Sequence, residues 1–316
     1  MKTTPVTFDD LTRSVLSVPS LCRGADLSLN WAANRDLIAH LEAGGVSTLM
    51  YGGNANFYNL PLTDFEALLE RLPELAGADT WIIPSCGPDF GRLMDQAAIL
   101  KRFDYPTAMV LPLAFPATPA GAEAGIRRFV EAVGKPAILY VKFEGYLDVA
   151  GIGRLVDDGL VAAIKYAVVR EDPTEDPFLA ELCGAIDRRM IVSGIGERPV
   201  IDHFRGFGLT SFTSGSVCVA PVASTAILHA LQRGDDGRAA RLREAFLPFE
   251  DLRDKISPMR VLHEAVRLAG IADSGPVLPL LSNIEDKDRP AVERAAKALL
   301  AFDRALADEV AETIAV

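Results

Sequence analysis

Short apolar runs alternate with amphipathic stretches through the first two thirds of the chain. Ser14–Val18, Val46–Tyr51, Thr80–Pro84, Thr107–Leu111, Ala137–Val141, Leu160–Lys165, Met190–Ser193 and Thr210–Thr213 are near-continuous apolar or β-branched runs of four to six residues. That pattern predicts strands buried on both faces, as in parallel sheets. Between them, Asn34–Ala43, Thr63–Leu75, Phe90–Phe103, Ala120–Val133, Ile152–Asp157, Asp176–Asp187, Pro199–Phe204 and Val222–Gln232 are the predicted helices, the longer ones with apolar residues at helical spacing. Thr63 is the candidate cap of its helix, and Gly44-Gly45 and Gly134 are helix stops. Eight strand–helix units in about 220 residues predict a closed (β/α)8 TIM barrel rather than an open doubly wound sheet. An open dinucleotide-binding sheet would carry GxGxxG after its first strand, where this chain has Pro19-Ser20-Leu21-Cys22.

Beyond residue 236 the strand pattern stops. Three helices are expected there, near Arg238–Asp254, Pro258–Ala269 and Asp288–Val310. The expected organisation is a barrel domain over 1–235 and a C-terminal helical domain over 236–316.

Composition narrows the class. The 316 residues carry a net charge of −11, and the three arginines of Arg238–Arg243 read as a solvated helix face. Nucleic-acid binding would need a basic stripe, and none is present. No run of about 18 apolar residues exists to cross a membrane, and Met1–Ser14 lacks the apolar core of a signal peptide. A cytoplasmic enzyme is expected. Cys22, Cys86, Cys183 and Cys218, and His40, His203, His229 and His263, are scattered without ligand spacing, so neither a metal nor another cofactor is expected.

One lysine stands apart. Leu160-Val161-Ala162-Ala163-Ile164 delivers Lys165 to the end of a buried strand. Desolvation there favours the neutral amine, a nucleophile toward carbonyls. The other reading is a side chain that snorkels out to pair with Glu171 or Asp172. In a barrel the active site lies at the C-terminal strand ends, which gathers Gly53 and Asn54, Pro112 to Phe115, Tyr140, Lys142 and Glu144, Lys165, Gly194 to Glu197, and Ser214 and Ser216. Strand alternation puts Tyr140 and Lys142 on one side and Val141 on the other. Gly194-Ile195-Gly196 reads either as helix–strand packing or as an anion nest.

These residues resemble the dihydrodipicolinate synthase / N-acetylneuraminate lyase family, with the likeness running from about Val15 to Pro279. Ala163-Ile164-Lys165-Tyr166 is similar to that family's sixth-strand "G-I/F-K" segment, and Ile138-Leu139-Tyr140 to its "I-x-Y-N-x-P" segment. Gly53-Asn54 stands at its carboxylate-binding turn, and Val192-Ser193-Gly194 resembles its seventh-strand "S-G". The resemblance implies imine formation by Lys165 with a 2-oxo acid and proton transfer by Tyr140. It also implies substrate contacts at Gly53, Asn54 and Gly194, and assembly as homodimers or homotetramers. Departures are visible. Val141-Lys142-Phe143 replaces the asparagine and proline after the tyrosine, Gly145 stands where dihydrodipicolinate synthase has an arginine, and Leu113-Ala114 where it has a tyrosine pair. Gly52–Leu60 and Gly208–Gly215 are instead similar to segments of 5-dehydro-4-deoxyglucarate dehydratases.

The expected function is a Schiff-base lyase acting on a 2-oxo acid, either a pyruvate-type aldolase or a 2-keto-3-deoxy sugar acid dehydratase, rather than an authentic dihydrodipicolinate synthase. The alternatives are a barrel that binds a keto or sugar acid without turnover, and a phosphosugar aldolase using Gly194–Gly196 with Arg198 as a phosphate cradle.

Overall fold

The computed structural model describes residues 1–314. Its strands are β1 (Leu16–Ser17), β2 (Thr48–Met50), β3 (Trp81–Ile83), β4 (Ser85–Cys86), β5 (Met109–Val110), β6 (Ala137–Val141), β7 (Val161–Tyr166), β8 (Ile191–Ser193) and β9 (Thr213–Ser214). All ladder pairs are parallel, in the orders β3-β2-β1-β9 and β4-β5-β6-β7-β8.

The two sheets are arcs of one ring. β3 and β4 are a single course of chain interrupted at Pro84, which has no N–H to give to a ladder. Its carbonyl still accepts from Met109 N–H at 2.9 Å, while Ile83 next to it accepts from Tyr51 N–H at 2.9 Å. At the other seam, Ser193 forms a parallel bridge with Phe212, and Ser193 N–H donates to the Ser211 carbonyl at 3.1 Å. The eight expected strands therefore close a circle.

Helices follow each strand because the sequence marks their ends. Asp89, Thr118, Asp148 and Asp176 accept from backbone N–H groups at the starts of α4 (Phe90–Leu100), α5 (Pro119–Val133), α6 (Val149–Asp157) and α7 (Pro177–Ala185). Gly134 ends α5 in the left-handed region at φ 75. The remaining barrel-layer helices are α1 (Phe8–Thr12), which the sequence pattern did not mark, α2 (Trp31–Ala43), α3 (Leu62–Leu75), α8 (Val200–Gly206) and α9 (Pro221–Gln232).

Three local expectations are corrected. Thr63 does not cap α3: the helix begins at Leu62 behind an extended Pro61, which leaves Thr63 inside the first turn. The regular part of the eighth strand is Thr213–Ser214, and Ser211 and Phe212 serve the seam through their carbonyls. The first of the three C-terminal helices is two, α10 (Asp236–Glu244) and α11 (Leu247–Ile256), because Pro248 fits the first turn of a helix and not its interior. They are followed by α12 (Pro258–Leu268) and α13 (Arg289–Ile314).

The C-terminal helices are anchored to the barrel. Asp303 of α13 is buried and accepts from Ala223 N–H at 2.7 Å, capping the first turn of α9. Leu262 of α12 presses so close to Gly215 that a Cβ there would lie 2.3 Å from its Cδ1. Among the described residues no helix is long and apolar enough to cross a membrane, and the four cysteines are free and buried.

Candidate active site

Tyr140 and Lys165 are register partners on β6 and β7, so their side chains leave the sheet on the same side. Lys165 is 5% exposed, and its Nζ lies 4.6 Å from the centroid of the Tyr140 ring. No described residue gives that amine a hydrogen bond or an ion pair. Glu171 and Asp172 do not reach it, which removes the snorkelling alternative. Burial, reinforced by the nearby Lys142 charge, brings the Lys165 pKa down to about 7. Tyr140 is 9% exposed, and its hydroxyl is unpartnered among the described residues. Burial raises its pKa well above the phenol range, so it remains a neutral proton donor near neutrality.

Around this pair lies a cavity of about 100 Å³. It brings together Gly53, Asn54, Tyr140, Lys142, Lys165 and Gly194, with Thr213, Gly215 and Arg253. The Gly53 turn is closed by the Asn56 and Phe57 N–H groups, which donate to the Gly53 and Gly52 carbonyls, and among the described residues no hydrogen bond uses the N–H of Gly53 or Asn54. The Asn54 side chain is committed to the Val18 carbonyl at 3.3 Å, which fixes the turn against β1.

Gly194 lines the cavity for another reason. Its N–H donates to the Tyr166 carbonyl at 2.6 Å, and a Cβ there would stand 2.5 Å from that oxygen. Of the two readings of Gly194-Ile195-Gly196, close packing is the one that Gly194 satisfies. Arg198, the cation of the phosphate-cradle reading, is paired with Asp251 and Asp254. Ser214 and Ser216 are buried and do not line the cavity; their hydroxyls serve Glu197 and Glu250. Pro112 to Phe115 do not reach it either, since Leu113 and Phe115 line a separate apolar cavity of about 610 Å³ with Phe90 and Tyr146.

The profile of the dihydrodipicolinate synthetase family matches residues 24–299. The chain belongs to that family. A probable 5-dehydro-4-deoxyglucarate dehydratase of Streptomyces avermitilis is 38% identical over 272 residues, covering 81% of this chain and 83% of the relative. Its counterpart in Streptomyces coelicolor is 26% identical over 273 residues, covering 80% and 82%. Among solved structures, dihydrodipicolinate synthase from Bacillus clausii superposes with a TM-score of 0.82 at 21% identity, covering 92% of this chain and 99% of that one. The last likeness is one of fold: the family's barrel with C-terminal helices.

Within the family frame, the sequence reading missed one cluster. Arg253 of α11 lines the cavity, and beneath it lie Glu250 and Glu197, both buried. Glu197 accepts from the Ser214 hydroxyl at 2.8 Å and from the Ser224 hydroxyl, and its own N–H donates to Glu250 Oε1 at 3.3 Å. Glu250 Oε1 also accepts from Arg253 Nη1 at 2.9 Å. Burial, and then the Glu197 charge, pushes the Glu250 carboxyl up to about 8. A signal existed in the sequence. Phe246, Phe249, Glu250 and Arg253 follow the spacing of a single buried helix face, yet an i,i+3 acid–base pair reads as surface decoration when the helix is assumed to face water. Tyr58 is a second omission: it lies beside Gly53 and adds to burial, the larger cause, in raising the pKa of both Tyr140 and Tyr146.

Proposed function

We propose that this protein is a lyase that forms a Schiff base between Lys165 and a 2-oxo acid and eliminates water from the adduct. The observation that carries this reading is a buried amine without an ion pair, in register with a free phenol. Neutral Lys165 Nζ attacks the C2 carbonyl, and the carbinolamine loses water to give a protonated imine. The imine withdraws electrons from C3, which gives up a proton, and the C4–O bond breaks as the hydroxyl departs with a proton. Tyr140 gives its proton to the departing carbinolamine hydroxyl, takes one from C3 as the phenolate, passes it to the C4 hydroxyl, and is reprotonated when water hydrolyses the imine to free the product and Lys165. The carboxylate is held by the Gly53 and Asn54 N–H groups, which no hydrogen bond among the described residues uses. Dehydration rather than C–C cleavage is favoured by the relative at 38% identity, whose name is that of a dehydratase.

Borohydride reduction in the presence of pyruvate, read by intact mass, tests the first step. One reduced adduct per chain is expected in the wild type and none in Lys165→Met. An adduct that survives in Lys165→Met refutes the assignment, as does no adduct with any 2-oxo acid.

We further propose that the protein self-associates through the edge of the apolar cavity. Phe115 and Phe90 are 85% and 52% exposed there, an apolar display that isolated surface residues do not make. Four buried free thiols and no disulfide among the described residues suit a reducing compartment such as the cytoplasm.

A further inference from the structure

The turn that carries the Gly53 and Asn54 N–H groups is not held by the barrel alone. Its last residue, Asn56, is 6% exposed and stands in the left-handed region at φ 55 and ψ 36. Apart from glycine, asparagine is among the residues that accept that conformation most readily. Its N–H closes the turn on the Gly53 carbonyl at 2.9 Å. The side chain both accepts and donates. Oδ1 accepts from Asn59 Nδ2 at 2.8 Å, and Nδ2 donates to the Leu278 carbonyl at 3.3 Å. That second bond joins positions 222 apart in sequence and crosses from the barrel to the C-terminal helices.

Leu278 belongs to the irregular strap, residues 269–288, between α12 and α13. The strap is fastened on both sides of Leu278. Before it, the Ser274 carbonyl accepts from Arg23 N–H at 2.9 Å, and a Cβ on Gly275 would stand 1.9 Å from the Arg23 carbonyl oxygen. His263 Nε2 of α12, facing a carbonyl, donates to Gly275 at 2.9 Å. After it, Asn283 Oδ1 accepts from Val277 N–H at 3.2 Å, and Arg260 of α12 donates to the Ser282 carbonyl at 2.6 Å. The Leu278 carbonyl is therefore a fixed point, and Asn56 is the side chain that ties the turn to it.

The residue type matters here. An amide offers a donor and an acceptor, whereas a carboxylate of the same shape only accepts. Aspartate at this position would set a negative charge against the Leu278 carbonyl and beside N–H groups that await an anion. Glycine would keep the backbone conformation and lose both ties. Neither Asn56 nor Leu278 lines the cavity, so Asn56 acts through the turn.

We propose that Asn56 is a positioning residue for the carboxylate end of the substrate: by fastening the turn to the strap, it aims the Gly53 and Asn54 N–H groups before substrate arrives. Donors fixed in advance bind an anion without the cost of ordering them. This rests on the reading of those N–H groups as the carboxylate holders, and it adds what sets their direction. The C-terminal helices thereby support substrate binding from outside the barrel.

Pyruvate and methyl pyruvate share the ketone and differ in charge at the carboxyl end, so borohydride trapping with both separates the turn from the amine. The wild type is expected to reach half-trapping at a lower concentration of pyruvate than of methyl pyruvate. Asn56→Gly should raise the pyruvate value roughly ten-fold, the size of one charge-assisted contact, with methyl pyruvate and the saturating yield unchanged. Asn56→Asp should raise it further. A pyruvate value unchanged in Asn56→Gly overturns the inference, as does an equal rise for both compounds, the mark of a general structural loss. Should Asn56→Gly fail to fold, Asn59→Ala decides. Removing the amide from which Asn56 accepts should move the pyruvate value alone, by a smaller factor, and wild-type values there refute the role.

Lactate supplies a second measurement, because it carries the carboxylate and has no ketone to form an imine. It should stabilise the wild type and Lys165→Met against heat, and Asn56→Gly much less. Undiminished stabilisation of Asn56→Gly, or none of the wild type, also overturns the inference. Loss of lactate stabilisation in Asn56→Gly, together with no trapping of any 2-oxo acid by the wild type, would sink the Schiff-base reading and leave Asn56 in its role.

Discussion

Lys165 is useful only when it is not charged, and its surroundings arrange that in two steps. Burial contributes first and the Lys142 ammonium second, together bringing the amine to about 7. Below that value the amine is protonated and cannot attack a carbonyl; above it the nucleophile is free. The rate of imine formation at saturating pyruvate should therefore rise through about pH 7 and level off, as stopped-flow absorbance or quenched trapping would record. Replacing Lys142 with Met removes a like charge, so the protonated form of Lys165 becomes easier to hold and the rising limb moves to higher pH. A limb that stays in place or moves to lower pH in Lys142→Met contradicts this electrostatic account. The strand-end position of Lys165 was legible in the chain, because five apolar residues precede it. Its freedom from Glu171 and Asp172 was not, since that depends on where the loop after β7 travels.

Glycines separate what an element needs from what its sequence suggests. Gly194 looks like a phosphate-binding turn when read along the chain, but its constraint comes from across the sheet, where β7 brings the Tyr166 carbonyl and Ala167 against it. Gly194→Ala should push β8 off β7, costing about 1–3 kcal/mol of stability by denaturant unfolding and lowering kcat through the displaced Lys165. Gly153, inside α6, faces open space: a Cβ added there would meet nothing within 4 Å. Gly153→Ala should be neutral or stabilise by about 0.5–1 kcal/mol. Equal losses in the two variants would mean that the turn after β8 is not specially packed. Boundaries show the same division. Asp148 and Asp176 stand as caps one residue before their helices, so α6 begins three residues ahead of the expected Ile152 and α7 one residue after the expected Asp176, whereas the eighth strand slid because its pairing is decided by the seam with Ser193. The helical face carrying Glu250 and Arg253 went unmarked for a related reason. Its periodicity was visible, but not the barrel mouth that it covers.

At the scale of the whole molecule, barrel and appendage are one chemical unit. Asp303 ties α13 to the start of α9, and Arg253 reaches the cavity from α11. Self-association is proposed at a different place, the apolar rim formed by Phe90 and Phe115. Phe115→Glu should shift the protein toward monomer by at least ten-fold in dissociation constant, about 1.4 kcal/mol, in sedimentation velocity. An unchanged distribution would place any interface elsewhere. The register of Tyr140 with Lys165 has one more consequence. Their separation is that of two rungs on adjoining rails, fixed by backbone pairing and indifferent to whatever loops decorate the rim. Substitutions at the rim, including those on α11, should accordingly leave the spacing of the reacting pair unchanged.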